Sequence, residues 1–166
     1  MRGDVDIEDA MKRYGDIVLR ACRANLPNRH DAEDAFQDTF LRYATKDVVF
    51  NGEDHRKAWL IRVAVNVCRD CTKKASARDI PFEQADDVNT ALVHEPGDSL
   101  DGIDMTHALE TLSSDQRTAL LLAAVEGYAV PEIADMMERP ANTVYSYIAR
   151  GKKKLREVLE DDGQSR

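Results

Sequence analysis

Apolar residues in the first part of the chain recur at the three- and four-residue spacing of an amphipathic helix: Ile7, Ala10, Met11, Tyr14, Ile17, Val18, Ala21 and Cys22. Pro27 and Asn28 break that stripe. Asp31 is then expected to cap a second helix, with Asp34 in its first turn and Ala32, Ala35, Phe36, Phe40 and Tyr43 facing inward. Thr45 to Asp54, which contains Asn51-Gly52, reads as a loop. A third helix is expected from about Arg56 to Lys74, apolar nearly all round through Ala58, Trp59, Leu60, Ile61, Val63, Ala64, Val65 and Val67. One polar stripe interrupts it. At about 100° per residue, Arg62, Asn66, Arg69 and Lys73 fall within roughly 60° of one another. Such a stripe either faces water or is kept for a ligand; an asparagine there has a helix-propensity cost, and its paired donor and acceptor suit a base edge.

The periodicity is lost from Ala75 to Asp104, where Pro81, Pro96, Gly97, Gly102 and many acids mark a tether rather than a packed element. A second helical block starts near Met105. Leu109 and Leu112 end a short helix, Ser113-Ser114-Asp115 offers caps, and Thr118 to Glu126 is a strongly apolar helix stopped by Gly127. Pro131 sits in the first turn of a short helix, where its missing N–H is harmless. Arg139-Pro140 then turns the chain into a longer helix. Short helix, tight turn, longer basic helix is the order of a helix-turn-helix.

On that last helix Val144, Ile148, Gly151 and Leu155 align toward a core, and Asn142, Ser146, Ala149, Arg150 and Lys153 lie opposite. Tyr145 and Tyr147 flank the buried seam on either side, Tyr145 pointing more freely outward, and Thr143 and Tyr145 are counted among the DNA-facing residues. The outer surface is small, polar and basic, which lets a helix sit deep in a major groove. Charge sharpens the point. The chain has 166 residues and a formal net charge of −8 at pH 7, which argues against nonspecific coating of nucleic acid. Yet Arg150, Lys152, Lys153, Lys154 and Arg156 crowd together, whereas the tether is acidic. Lysines and arginines near a helix C-terminus also favour the dipole, but the helix-turn-helix order makes this cluster a DNA face.

The remaining chemistry is sparse. Three cysteines, Cys22, Cys68 and Cys71, make no even disulfide framework, and the acidic N-terminus lacks the features of a signal peptide. No run approaches the ~18 apolar residues of a membrane span. The expectation is a cytoplasmic protein with no membrane insertion. Cys68-x-x-Cys71, with only His30 and His55 in the same block, lacks a second cysteine pair to complete a zinc site, so no metal is expected. Glu33, Asp34 and Asp38 could serve a metal-dependent hydrolase, but no phosphate loop, histidine partner or nucleophile accompanies them. No catalytic residue, cofactor or small-molecule substrate is expected.

Three stretches taken in order resemble the extracytoplasmic-function (ECF) sigma factors of bacterial RNA polymerase. DAEDAFQDTFLRY (Asp31–Tyr43) resembles the family's helix that docks on the polymerase clamp, and AWLIRVAVNVCRD (Ala58–Asp70) its helix that holds the melted −10 strand. The stretch from Leu112 to Leu155 resembles its −35-reading domain. The resemblance spans about residues 6 to 160. It implies an all-α chain of two small helical domains: a sigma region 2 bundle at 1–76 and a sigma region 4 helix-turn-helix at 105–166. An acidic flexible linker, 77–104, would join them and thread toward the RNA exit path. Asp34, Gln37, Asp38 and Leu41 would meet core polymerase. Phe50 and Asn66 would receive a flipped promoter base, with Arg62, Arg69 and Lys73 on nearby phosphates. Implied partners are core RNA polymerase, promoter DNA and an anti-sigma factor. The chain departs from the family at Tyr145 and Tyr147, where Lys or Arg is usual, at Asn142 in place of Gly, and at Asn51 in place of Arg; Ser146 and Arg150 are retained. The alternative is a free-standing helix-turn-helix regulator acting without polymerase, which leaves the first block without a role.

Overall fold

The computed structural model describes residues 1–77 and 108–164, with side chains placed for 1–73 and 108–160. The expected tether, 77–104, lies but for its first residue outside the described residues, as does the start of the second block near Met105. Among the described residues every regular element is a helix, and none is long and apolar enough to cross a membrane.

Three long helices, α1 (Asp4–Asn25), α2 (Arg29–Thr45) and α3 (Glu53–Ala77), pack pairwise into the first block. Their apolar stripes meet in a core that includes Tyr14, Ile17, Val18, Phe40, Tyr43, Leu60, Ile61, Ala64 and Val65. Two sequence expectations need correction. Asn28, not Asp31, caps α2: its side chain accepts from the His30 and Asp31 N–H groups, and Asp31 falls in the first turn. A helix entered straight from a buried Leu26-Pro27 has room for its cap at the next residue, and asparagine is as good a cap as aspartate. Helix α3 also starts at Glu53, earlier than Arg56, because its first turn is tied to α1. Arg56 is the tie. Only 6% exposed, it donates from Nε to the Tyr43 hydroxyl at 2.9 Å and from its Nη atoms to Asp9 and Asp6, both at 2.9 Å. Glu53 adds a carboxylate at 3.3 Å and accepts from the Tyr14 hydroxyl. Burial works against the Arg56 cation, but the hydrogen bonds it donates to Asp9 and Tyr43 outweigh it and hold the guanidinium above its usual range.

The second block is built on a different device. Residues 108–110 are helical and close onto α4 (Ser114–Leu120), which opens with a reciprocal cap: Ser113 accepts from the Gln116 N–H, and Gln116 accepts from the Ser113 N–H. The expected helix over Thr118 to Glu126 is divided. Leu121–Val125 forms a π-helical turn, with the Glu126 N–H donating to the Leu121 carbonyl at 3.1 Å, before Gly127 reverses the chain at φ 74°. Helix α5 (Val130–Met137) follows, and α6 (Ala141–Gln164) closes the block. Val144 and Gly151 are buried along the α6 seam. A β-carbon on Gly151 would lie 2.7 Å from Leu120 Cδ1, so the absence of a side chain sets how closely α6 approaches α4. The two blocks touch: α4 packs on α1 and α5 on α3, and one apolar cluster runs through both.

Candidate nucleic-acid interface

Helix α6 is placed by its seam. With Val144 and Gly151 inward, Asn142, Tyr145, Ala149, Arg150 and Lys153 are exposed, and Thr143 and Ser146 lie at its edges, half-buried. Tyr145 is 60% exposed. Tyr147 turns the other way and donates its hydroxyl to Asp115 Oδ2 at 3.2 Å, which locks the start of α4 to α6. Lys152, Lys154 and Arg156 extend the positive surface along the same helix. The α5–α6 connection is compact because Glu138 adopts the left-handed conformation at φ 53°, among the described residues the one non-glycine to do so. The Arg139 N–H then bonds back to the Ala134 carbonyl at 3.1 Å, closing the end of α5 as glycine would normally do.

The four-residue polar stripe of α3 is brought together as its spacing requires, with its ends, Arg62 and Lys73, exposed and its middle partly covered. Helix α5 packs on α3, and Arg62 donates to Glu138 Oε1 at 3.2 Å across the gap. Asn66 is half-buried. Arg69 is half-buried too, and its Nε and Nη2 are enclosed without an acceptor among the described residues. Burial first, and the nearby Arg139 cation second, pull the Arg69 guanidinium below its usual range. Lys73 is exposed. Phe50, in the loop before α3, stacks on Tyr43 at a 6.1 Å centroid distance and meets Trp59 edge-on at 5.7 Å. The Arg2 guanidinium lies 4.9 Å from its ring centroid. Phe50 therefore stands half-buried at the edge of an aromatic cluster, 12° from parallel with the tyrosine ring beneath it.

Along α2, Asp34, Gln37 and Leu41 are exposed and Asp38 is half-buried. Asp38 faces Arg42 at 3.4 Å, and Arg42 also reaches toward Asp70 at 4.0 Å. Glu33 is engaged by Arg29 at 3.1 Å. No group of three or more metal-binding side chains lies among the described residues. Cys22 and Cys68 are buried together, where a mutual hydrogen bond and then burial push the Cys68 thiol up.

Sequence reasoning missed several residues that shape this region. Arg56 could have been suspected, since a cation in the first turn of a helix opposes the dipole and needs carboxylates to hold it. Arg20, Lys57, Glu126 and Glu138 meet only through the packing of the two blocks. Glu126 takes Arg20 at 3.0 Å and Lys57 at 3.2 Å, and Arg117 of α4 donates from Nε to the Ala24 carbonyl of α1 at 2.9 Å in a buried setting.

Comparison with known proteins agrees with this architecture. Residues 10–78 match the family model "Sigma-70 region 2" and residues 103–155 match "Sigma-70, region 4". The chain is 30% identical to the ECF RNA polymerase sigma factor EcfG of Rhodopseudomonas palustris, over 87% of this chain and 81% of that one. It is 25% identical to SigW of Bacillus subtilis, over 96% and 92% of the two chains. With SigE of Mycolicibacterium smegmatis it shares 30% identity, and there it spans 61% of the relative's length. The fold resembles that of the sigma factor RpoE solved in complex with the anti-sigma factor NepR from Bartonella quintana, with a TM-score of 0.73 at 23% identity, covering 93% of this chain and 97% of that one. It also resembles CnrH in complex with the cytosolic domain of CnrY, with a TM-score of 0.62 at 22% identity, covering 96% and 91%. Two sigma-70 region matches in this order, and relatives of that name along most of the chain, show that it belongs to the ECF RNA polymerase sigma factors.

Proposed function

We propose that this sigma factor binds bacterial core RNA polymerase through α2 and directs it to promoters that it reads with α3 and α6. The observation that carries the reading is the division of labour among surfaces. Asp34, Gln37, Asp38 and Leu41 form a mixed acidic and apolar face on one side of the first block, with Leu41 61% exposed. The basic outer face of α6 is held free by a seam on its opposite side. Residues 1–76 act as the polymerase- and −10-binding domain and 105–166 as the −35-binding domain.

In this reading Phe50 and Asn66 receive an unpaired −10 base. Stacking and an amide hydrogen bond offset the few kcal/mol needed to unpair it. Arg62, Arg69 and Lys73 hold the adjacent phosphates. Asn142, Thr143, Tyr145, Ser146 and Ala149 meet the −35 groove, and Arg150 and Lys153 its backbone. The protein works in the cytoplasm, supplies no chemistry of its own, and leaves nucleotide addition to the polymerase. One structural neighbour, RpoE, was solved with an anti-sigma factor, which supports a partner of that kind here.

The test is run-off transcription with core polymerase. The wild-type chain is expected to start transcripts at discrete promoters, whereas Asp38→Lys, which reverses charge on the α2 face, loses affinity for core polymerase while its helical signal and melting remain unchanged. Equal core affinity of the two proteins would reject the α2 assignment. A chain that never co-purifies with core polymerase would instead be a free-standing DNA-binding regulator.

A further inference from the structure

The loop that carries Phe50, residues 46–52, has little of its own to hold it. Its backbone makes one bond within itself, from the Val48 N–H to the Lys46 carbonyl at 3.1 Å, and the Asn51 N–H donates to His55 Nδ1 at 3.1 Å. The rest of its support comes from Arg2, in the segment before α1. The Arg2 N–H donates to the Ala44 carbonyl at 2.9 Å, and its Nε to the Tyr43 carbonyl at 2.9 Å. Both carbonyls belong to the last turn of α2, where no helical donor reaches them. Nη2 goes past the helix end to the Val48 carbonyl, in the loop itself, and Nη1 is anchored on Asp6 at 3.2 Å. Asp6 is fixed in turn by Arg56 and by the Tyr43 hydroxyl, both at 2.9 Å. The same guanidinium lies 4.4 Å from the Tyr43 ring centroid and 4.9 Å from that of Phe50, close enough to attract each ring face. One side chain thus ties the end of α2, the loop backbone and the Phe50 ring to the Arg56 hub.

Resting on the assignment of Phe50 to an unpaired −10 base, we propose that Arg2 is a positioning residue for promoter melting. It holds the loop so that the Phe50 ring is already presented when the strand arrives, and it does so without touching DNA.

Three features separate this role from simpler ones. The Arg2 side chain is 16% exposed and all three of its nitrogens are engaged by the chain, so it offers little to a phosphate. A cap for α2 needs only a cation near the helix end and has no use for Val48 or for the Phe50 ring. The pattern also demands a planar fork with donors on three sides, whereas a lysine brings the same charge as a single point. A loop ordered beforehand removes a cost that DNA would otherwise meet at capture. The gain falls on affinity for an unpaired strand and on discrimination among its bases, not on attraction to duplex DNA.

The test uses the full chain assembled with core polymerase and forked promoter DNA whose −10 segment is unpaired. Arg2→Gln is expected to weaken binding by about three- to tenfold, the scale of ordering one or two side chains. It should also flatten the preference among single-base −10 variants while core affinity and helical signal stay unchanged. A fall in core affinity or helical signal would make Arg2 a support of the whole first block and overturn the positioning role. Arg2→Lys is expected to lose as much as Arg2→Gln; a lysine variant equal to wild type shows that charge alone suffices, and overturns it too. Phe50→Ala completes the cycle. Once Phe50 is gone, Arg2→Gln should add little, because the two act through one contact, and losses that simply add overturn the proposal. Trp59, the one tryptophan of the chain, meets Phe50 edge-on at 5.7 Å and reports the cluster in the free protein. Arg2→Gln should increase its quenching by acrylamide; unaltered quenching shows that the loop stands without Arg2 and rejects the inference. A loss with Phe50→Ala but none with Arg2→Gln overturns the role of Arg2 and leaves the base assignment standing, whereas no loss with Phe50→Ala rejects both.

Discussion

The two blocks solve the same packing problem by different means. The first has long helices and organises them with charge: Arg56 gathers Asp6, Asp9, Glu53 and the Tyr43 hydroxyl at the meeting point of all three. The second packs short helices on one long one and organises them by close approach: Gly151 against Leu120, a π-helical turn, and a reciprocal cap at Ser113. A polar hub specifies one arrangement because its donors and acceptors must all be met, whereas a steric seam specifies it because nothing larger fits. The candidate binding faces differ accordingly. The first block turns the middle of its polar stripe, Asn66 and Arg69, toward its neighbour, and the second turns its basic helix toward solvent.

The sharpest way to break this comparison is to remove the hub. Arg56→Met should destabilise the first block by roughly 2–4 kcal/mol, because three carboxylates are left to repel one another and the Tyr43 hydroxyl loses its donor. Urea unfolding should show an early transition for the first block, and an unchanged midpoint would mean that apolar packing alone sets its shape.

The matching experiment in the second block is Gly151→Leu. Overpacking against Leu120 should cost about 1–3 kcal/mol, partly offset by better helix propensity. The loss should appear in the second block and leave the proposed core-polymerase binding through α2 intact, which a pull-down checks.

A smaller effect is expected on the DNA face. Tyr145→Arg adds a cation at an exposed position and should steepen the salt dependence of promoter binding by about one unit of slope. Tyr147→Arg should instead lower stability, since that residue is half-buried and bonded to Asp115. Salt titrations and melting curves of both variants separate these outcomes, and an unchanged slope for Tyr145→Arg would show that position 145 does not face the backbone.

The smallest effect is acid sensitivity. Hydrogen bonds from Arg56 and Arg13 hold the Asp9 carboxyl below its usual range, and those from Tyr14 and Arg56 do the same for Glu53. Carboxylates depressed in the folded state add stability above the unfolded carboxylate range and lose it as pH falls through their folded values, so the loss should begin below about pH 4. Asp9→Asn/Glu53→Gln should flatten that part of the pH–stability curve, and equal slopes for variant and wild type would remove these groups from the hub.

Much of this was legible without coordinates. Helix identity came from periodicity, since an apolar stripe at three- and four-residue spacing leaves few other solutions. The seam of α6 could be read from Val144, Ile148, Gly151 and Leu155 for the same reason, and with it the exposure of Tyr145 and the inward turn of Tyr147. The grouping of Arg62, Asn66, Arg69 and Lys73 followed from helical geometry alone. Local capping was less secure: Asn28 and Asp31 are both good caps, and the choice between them fell to how Leu26 and Pro27 are buried. What the stripe of α3 faces was beyond any local rule, because Arg62 and Glu138 are 76 positions apart. Neither carries a signature that names the other. Charge pairing across such a separation is decided by how two apolar surfaces happen to fit, and only the tertiary structure contains that information.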